Sequence, residues 1–242
     1  MTTRPVFDRA RPLGRDDLAR LVAADIPPGS YVNLGIGQPT RVADFLIPGS
    51  AVILHSENGM LGVGPQAYGA DIDPDLINAG KIPVTETRGT AYFDHVASFA
   101  MMRGGHLDVC VLGAFQVSFT GDLANWHTGA PDAIPAVGGA MDLAIGARAV
   151  FALMTLFTRD GSPKLIPTCS YPLTGVGCVS RVYTDFGVFL LTDHGIVARE
   201  TYGMSRNDLS DRLGVTLQKS QPPHVDRGPG KTGSRNGPKV SR

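Results

Sequence analysis

One glutamate, Glu57, stands in the run His55-Ser56-Glu57-Asn58-Gly59-Met60-Leu61-Gly62-Val63-Gly64, directly after the apolar stretch 51–54. A short apolar stretch bounded by turn residues reads as a buried strand. The glutamate therefore sits where a strand breaks into a glycine-rich turn, a place that holds a side chain rigidly at a sheet edge. A carboxylate so placed serves as a covalent nucleophile when the surrounding site shields and activates it. Gly59, Gly62 and Gly64 permit positive φ and let a second chain or a ligand come close to the backbone. The same decapeptide also describes a solvated turn glutamate beside structural glycines. The rest of the chain has to decide between the two.

Leu18, Leu21, Val22 and Ile26 recur at helical spacing and predict an amphipathic helix over 15–26, ended by Pro27-Pro28-Gly29. Residues 31–34 predict a strand running into Gly35-Ile36-Gly37-Gln38-Pro39-Thr40, with a helix over 41–47. Strand, glycine turn and helix together aim backbone N–H groups at an anionic or carbonyl ligand. A dinucleotide fingerprint is excluded, because the third glycine and the following acidic residue are missing. Asp94 predicts the N-cap of a helix through Met102, closed by Gly104-Gly105. Strands are expected at 107–112 and 149–156, and a glycine-rich segment lies between them. After Pro163 the pattern turns to strands, at 178–184, 186–191 and 196–201. Ser205 with Asp208 forms a capping box that opens a last helix to Leu213. Strands alternating with helices over the first two thirds indicate an α/β fold, a largely parallel sheet with flanking helices.

The chain has 242 residues, 43% hydrophobic and 18% charged, enough for one sizeable core. Its net charge is zero, so composition gives no case for nucleic acid or a membrane surface as partner. No apolar run approaches the ~18 residues that span a bilayer. The amino-terminal residues lack the apolar segment of a signal peptide. Cys110, Cys169 and Cys178 lie in or beside apolar stretches and read as reduced thiols in a cytoplasmic protein. The six histidines are scattered, and no paired metal-ligand spacing occurs, so no metal site is expected. From Lys219 onward six Lys/Arg accompany one Asp among Pro, Gly and polar residues. The organisation expected is an extension over 1–14, one domain over 15–218 and a disordered basic tail over 219–242.

Seven segments in order carry a family resemblance: Asn33-Leu34-Gly35-Ile36-Gly37-x-Pro39, Ser56-Glu57-Asn58-Gly59, Asp75 to Lys81, Arg103 to His106, Gly121 to Trp126, Gly138 to Asp142 and Pro172 to Gly175. Together they resemble the B (β) chains of family I coenzyme A transferases, over about 15–217. Asn125 to Ala130 and Ile134 to Gly139 are most similar to the members that act on 3-oxoadipate. The resemblance implies the α/β fold shared by these transferases and some sugar-phosphate isomerases. It also implies a separate A subunit, in a heterodimer or heterotetramer. Arg88, Thr168 and the basic tail depart from the pattern, which bears on substrate preference and surface contacts more than on chemistry.

What the resemblance implies chemically is transfer of coenzyme A from succinyl-CoA to a 3-oxo acid through a thioester on Glu57. No resident cofactor is needed, since the coenzyme A thioester is itself the substrate. Such a site must exclude water, because an acyl anhydride hydrolyses, and must offer N–H donors to the oxyanion. By resemblance Gly139 supplies one such N–H, beside Gly138, and a tight turn before a helix explains the same pair. Asn33, Gly35, Gly37 and Lys81 match positions near substrate or coenzyme A. Asn33 equally suits a local turn cap, and Lys81 an exposed lysine after a glycine. His127, Arg88 and Lys81 are the candidates to meet the second carboxylate of 3-oxoadipate. The competing expectations are acetoacetate or another short-chain acid as acceptor, a sugar-phosphate isomerase or ligand-sensing protein on the same fold, and a structural subunit whose partner does the chemistry.

Overall fold

The computed structural model describes residues 4–220 apart from 131, 133, 136 and 137. Helix α1 (Arg15–Asp25) buries Leu18, Leu21 and Val22, the positions whose spacing predicts it. Strand β1 (Tyr31–Leu34) follows. The predicted helix over 41–47 is instead a 3₁₀ helix, Gln38–Phe45, with Pro39 in its first turn. Next come β2 (Ile53–Ser56), β3 (Met60–Gln66) and β4 (Val84–Tyr92). Helix α2 (His95–Arg103) starts where Asp94 accepts the Ala97 N–H at 2.7 Å. Strand β5 (Val109–Gly113) leads to the short β6 (Gln116–Ser118) and β7 (Leu123–Ala124). Helix α3 (Ala140–Gly146), β8 (Ala149–Leu153) and β9 (Leu165–Ile166) come next. The chain then forms β10 (Val179–Thr184), β11 (Gly187–Thr192) and β12 (Gly195–Thr201). Helix α4 (Arg206–Leu213), with the Ser205–Asp208 capping box, and β13 (Gln218–Lys219) close it. The predicted tail lies outside the described residues beyond Ser220.

Ten strands make one sheet in the order β13-β12-β11-β10-β8-β5-β1-β2-β3-β4, and β7-β6-β9 form a small second sheet. The centre, β10-β8-β5-β1-β2, is parallel. Both wings fold back antiparallel, β3 and β4 on one side and β11 and β12 on the other. At the middle, β5 and β8 are buried and read as near-continuous apolar runs, as strands covered on both faces do. Within β5 the side chains alternate: Val109 and Val111 join the core under α1, while Cys110 and Leu112 join the core under α2, α3 and α4. Strand β4 is absent from the sequence expectation, and its polar sequence explains why. It is an exposed edge strand carrying Glu86 and Arg88, charges of the kind that protect an edge from further pairing.

The glycines after Glu57 make room for β4, and Gly64 also lines a cavity next to β2. A Cβ on Gly62 would stand 2.8 Å from Thr87 Oγ1, and one on Gly64 would stand 2.5 Å from Thr85 Oγ1. Gly59, at φ 120°, has the Phe93 carbonyl where a Cβ would be. These three residues let β3 and β4 press against each other directly behind the Glu57 turn. Among the described residues no helix is long and apolar enough to cross a membrane.

Candidate active site

Three parallel strands bring the site together. Asn33 of β1 is in register with His55 of β2 on one side and Cys110 of β5 on the other. Glu57 follows two residues beyond His55, just past the carboxyl end of β2, where open α/β sheets place their ligands. The start of α3 lies against it. A Cβ on Gly139 would sit 3.5 Å from Glu57 Cδ and 3.4 Å from Phe99 Cζ, and one on Gly138 would sit 4.0 Å from Glu57 Oε1. Gly138 has φ 48°, a left-handed conformation that glycine adopts without strain. The turn that a bland reading would call structural thus delivers backbone to the carboxylate.

Burial pushes the Glu57 carboxyl above its ordinary pKa. Opposing that are a hydrogen bond from the Asn33 side chain, one from the Gly139 N–H and the positive field of His95. The charge of Glu57 is therefore supported mainly by N–H dipoles, and least by the field of His95. Cys110 feels the site too: its thiol is raised well above the usual range, first by burial and then by the negative charge of Glu57. It is a packed thiol, not a nucleophile.

His55 is 3% exposed, and burial lowers its pKa to about 4, so the ring is neutral at physiological pH. Its Nδ1 lies 3.2 Å from Asn33 Nδ2 and its Nε2 lies 3.1 Å from Ser98 Oγ on α2. Phe93 stacks on the ring, 6.1 Å between centroids and 11° between planes. Asn33 also donates to the His55 carbonyl at 3.3 Å, while its own Oδ1 is buried without a partner. A buried acceptor left unpaired costs about 1–3 kcal/mol.

The remaining predicted residues do not all come together. Asn58 Nδ2 donates to the Ile77 carbonyl at 2.7 Å, and the Ala79 N–H donates to Ser56 Oγ at 2.9 Å, so the turn over 78–81 is tied to the glutamate turn. Lys81 occupies a left-handed position (φ 61°) in that turn and is exposed. Asn78 Oδ1 holds the turn closed by accepting the Gly80 and Ile82 N–H groups. Ile36 packs beside Gly80. A cavity of about 490 Å³ opens here, lined by Asn33, Gly37, His55, Ser56, Asn78 and Gly80 among others. Gly37 (φ 92°) faces open space, whereas Gly35 is a packing residue whose N–H bonds the Val111 carbonyl at 2.8 Å. Arg88 is exposed on the edge strand, and His127 Nδ1 accepts the Gly129 N–H at 2.9 Å beside Trp126. Sequence reasoning misses His95, Phe99 and Ser98. They reach the site because α2 packs against α3 and brings Ser98 to the His55 ring, and the one available signal is the Asp94 cap that fixes where α2 begins.

A carboxylate just past a strand end, against the glycine-led start of a helix, is a group that acyl transfer in an α/β protein can use, and its neighbours His55 and Ser56 line the cavity. The coenzyme A transferase family model matches residues 15–201, and the chain belongs to that family. It is 60% identical over 208 residues to the B chain of 3-oxoadipate CoA-transferase from Pseudomonas putida, covering 86% of this chain and 97% of the relative. It is 45% identical over 209 residues to the human mitochondrial succinyl-CoA:3-ketoacid coenzyme A transferase 2, covering 85% of this chain and 40% of that one. The fold matches a solved acyl-CoA transferase of Escherichia coli O157:H7, a thioester complex with CoA, with TM-score 0.65 and 21% identity over 91% of this chain and 43% of that one. Membership of the family removes the isomerase and ligand-sensing alternatives.

Proposed function

We propose that this chain is the B half of a transferase that moves coenzyme A from succinyl-CoA to 3-oxoadipate, with Glu57 as the nucleophile. The observation that carries it is the Glu57 carboxylate lying against the Gly138-Gly139 backbone, near enough for the Gly139 N–H to lower its pKa. The carboxylate attacks the succinyl thioester carbonyl, the C–S bond breaks, and a succinyl-glutamyl anhydride forms as the thiolate of coenzyme A leaves. That thiolate then attacks the glutamyl carbonyl, expelling succinate and leaving coenzyme A on Glu57. The 3-oxoadipate carboxylate repeats the two steps in reverse and departs as its thioester. The Gly139 N–H is set to meet the oxyanion that forms on Glu57 when a nucleophile attacks the glutamyl carbonyl, where one donor is typically worth ~10²–10³ in rate. The route is ping-pong and needs only the coenzyme A thioester itself.

An A subunit completes the site in this reading. The relative from Pseudomonas putida is named as one lettered chain of its enzyme, and this chain matches only 40% of the human relative, which leaves room for a second half in that polypeptide. Helices α2 and α3, which flank Glu57, carry Val96 and Ile145, apolar side chains exposed by 78% and 65% that suit a covering subunit. The acceptor follows the relative at 60% identity, and the setting is then cytoplasmic catabolism of aromatic compounds through 3-oxoadipate. A 3-ketoacid such as acetoacetate is the second reading, favoured by the human relative. Reconstitution with the A subunit decides: kcat/KM for 3-oxoadipate should exceed that for acetoacetate, because a site built for a second carboxylate is left unpaired by the smaller acid. Equal or better efficiency with acetoacetate would overturn the acceptor and leave the transfer chemistry standing.

A further inference from the structure

Behind Glu57 runs a chain of buried polar groups that the nucleophilic route does not itself use. It leads from Ser98 on α2 through the His55 ring to the Asn33 amide and ends at the Glu57 carboxylate. We propose that Ser98 and His55 are positioning residues: they fix the Asn33 amide, and Asn33 in turn aims Glu57 at the thioester. This rests on Glu57 being the nucleophile, so its test has to separate the two ideas.

The geometry allows one assignment of protons. Asn33 Nδ2 faces the His55 carbonyl at 3.3 Å and His55 Nδ1 at 3.2 Å, and the Asn33 side chain lies near enough to Glu57 to lower its pKa. A backbone carbonyl only accepts, so the amide must turn its nitrogen toward it. His55 Nδ1 is then the bare ring nitrogen, accepting from Asn33. The proton resides on Nε2 and is donated to Ser98 Oγ at 3.1 Å. Each step forces the next. Asn33, His55 and Ser98 are 1%, 3% and 0% exposed, so the order is set inside the protein, and the Phe93 ring stacked on His55 restrains the imidazole plane.

A protonated His55 would reverse the arrangement, presenting N–H to N–H at Asn33, and the buried neutral ring prevents this.

Two substitutions split the chain at its middle. His55→Asn places Oδ1 as many bonds from Cα as Nδ1 was, which preserves the acceptor for Asn33 and drops the link to Ser98. His55→Gln places its amide one bond further out, which preserves the link to Ser98 and drops the acceptor. Each is assayed in the enzyme reconstituted with its A subunit, for kcat, for KM with succinyl-CoA, and for coenzyme A bound on the peptide containing Glu57 by mass spectrometry. His55→Gln should lose roughly 10- to 100-fold in kcat with KM within about twofold, the signature of a misaimed nucleophile. His55→Asn should recover most of that loss. Equal kcat in the two variants, or wild-type kcat in His55→Gln, overturns the proposal. Should His55→Gln not fold, Asn33→Ala takes its place, and wild-type kcat there overturns it equally. Failure of the wild type to carry coenzyme A on Glu57 would be a different result, removing the nucleophile itself.

Discussion

Asp25 and Glu57 are both sheltered carboxylates, and the protein holds them in opposite ways. Asp25, at the end of α1, is ringed by cations: Arg4 at 3.1 Å, Arg181 at 3.4 Å and Arg199 in closer contact still. The Tyr183 hydroxyl donates to it at 2.6 Å, and Glu200 balances Arg4 at 3.0 Å. Glu57 has no such ring. It meets an amide, a backbone N–H and the more diffuse field of His95, while burial raises its pKa. A carboxylate whose Oδ2 is shared by three guanidinium groups and a hydroxyl is a structural clasp. One held by neutral dipoles retains basicity, and therefore nucleophilicity, once it is ionised. Placement in the fold matches: Asp25 ties the segment ahead of α1 to β10 and β12, whereas Glu57 stands at an open strand end.

The sharpest way to break this comparison is to delete both carboxylates and ask what each deletion costs. Glu57→Ala should lower transferase turnover about 10⁴-fold or more, as removal of a covalent nucleophile does. It should leave the unfolding transition in denaturant close to wild type, because the side chain stabilises little. Turnover of the reconstituted variant within tenfold of wild type would refute the nucleophile. Asp25→Ala should do the reverse. It leaves three arginines facing one another, a loss of about 3 kcal/mol, since breaking a buried pair costs about 3–5 kcal/mol and these arginines retain some water. The reading is a lower midpoint in urea with kcat of the folded enzyme unchanged. A matching loss of kcat would mean that the clasp reaches the active site, and the two regions would no longer be independent.

The comparison also shows which features are legible in the chain. Glu57 is, because a strand ending in Ser-Glu-Asn-Gly is a local pattern, and so are α1, α2, α4 and the paired strands after 178, whose caps and periodicity are local as well. Gly139 and Asn33 come from the family resemblance, and the structure brings both to Glu57. The Asp25 cluster is invisible in sequence: Arg4, Arg181 and Arg199 are far apart along the chain and meet only when α1 packs on β10 and β12. Strand β4 escapes because its outward polar side chains give no apolar alternation. Gly62 and Gly64 read as room for a second chain or a ligand; tertiary packing sets both against β4, and Gly64 also lines the cavity. Lys81 and Gly80 lie beside the site because of a pair of hydrogen bonds from the glutamate turn that no spacing rule encodes.

A smaller effect sharpens the contrast through pH. Burial raises the Glu57 pKa above its ordinary 4.5, so the folded protein binds that proton more tightly than the unfolded chain. Its contribution to stability is fully present below the unfolded pKa and is lost as pH rises through the folded one. Ionised Glu57 thus works against folding at neutral pH, the cost of keeping a reactive carboxylate out of water. Glu57→Gln cannot ionise and lacks this dependence. Measured by urea unfolding at several values from about pH 4 to pH 7, the stability of Glu57→Gln relative to wild type should climb with pH. The climb should stop once Glu57 is fully ionised. An acid limb in the kcat of the wild type should fall in the same interval, because the nucleophile must be charged to attack. If the relative stability instead fell as pH rose, the donors from Asn33 and Gly139 with the field of His95 would outweigh burial. Glu57 would then be held as Asp25 is, by its charge, and the distinction between the two carboxylates would fail.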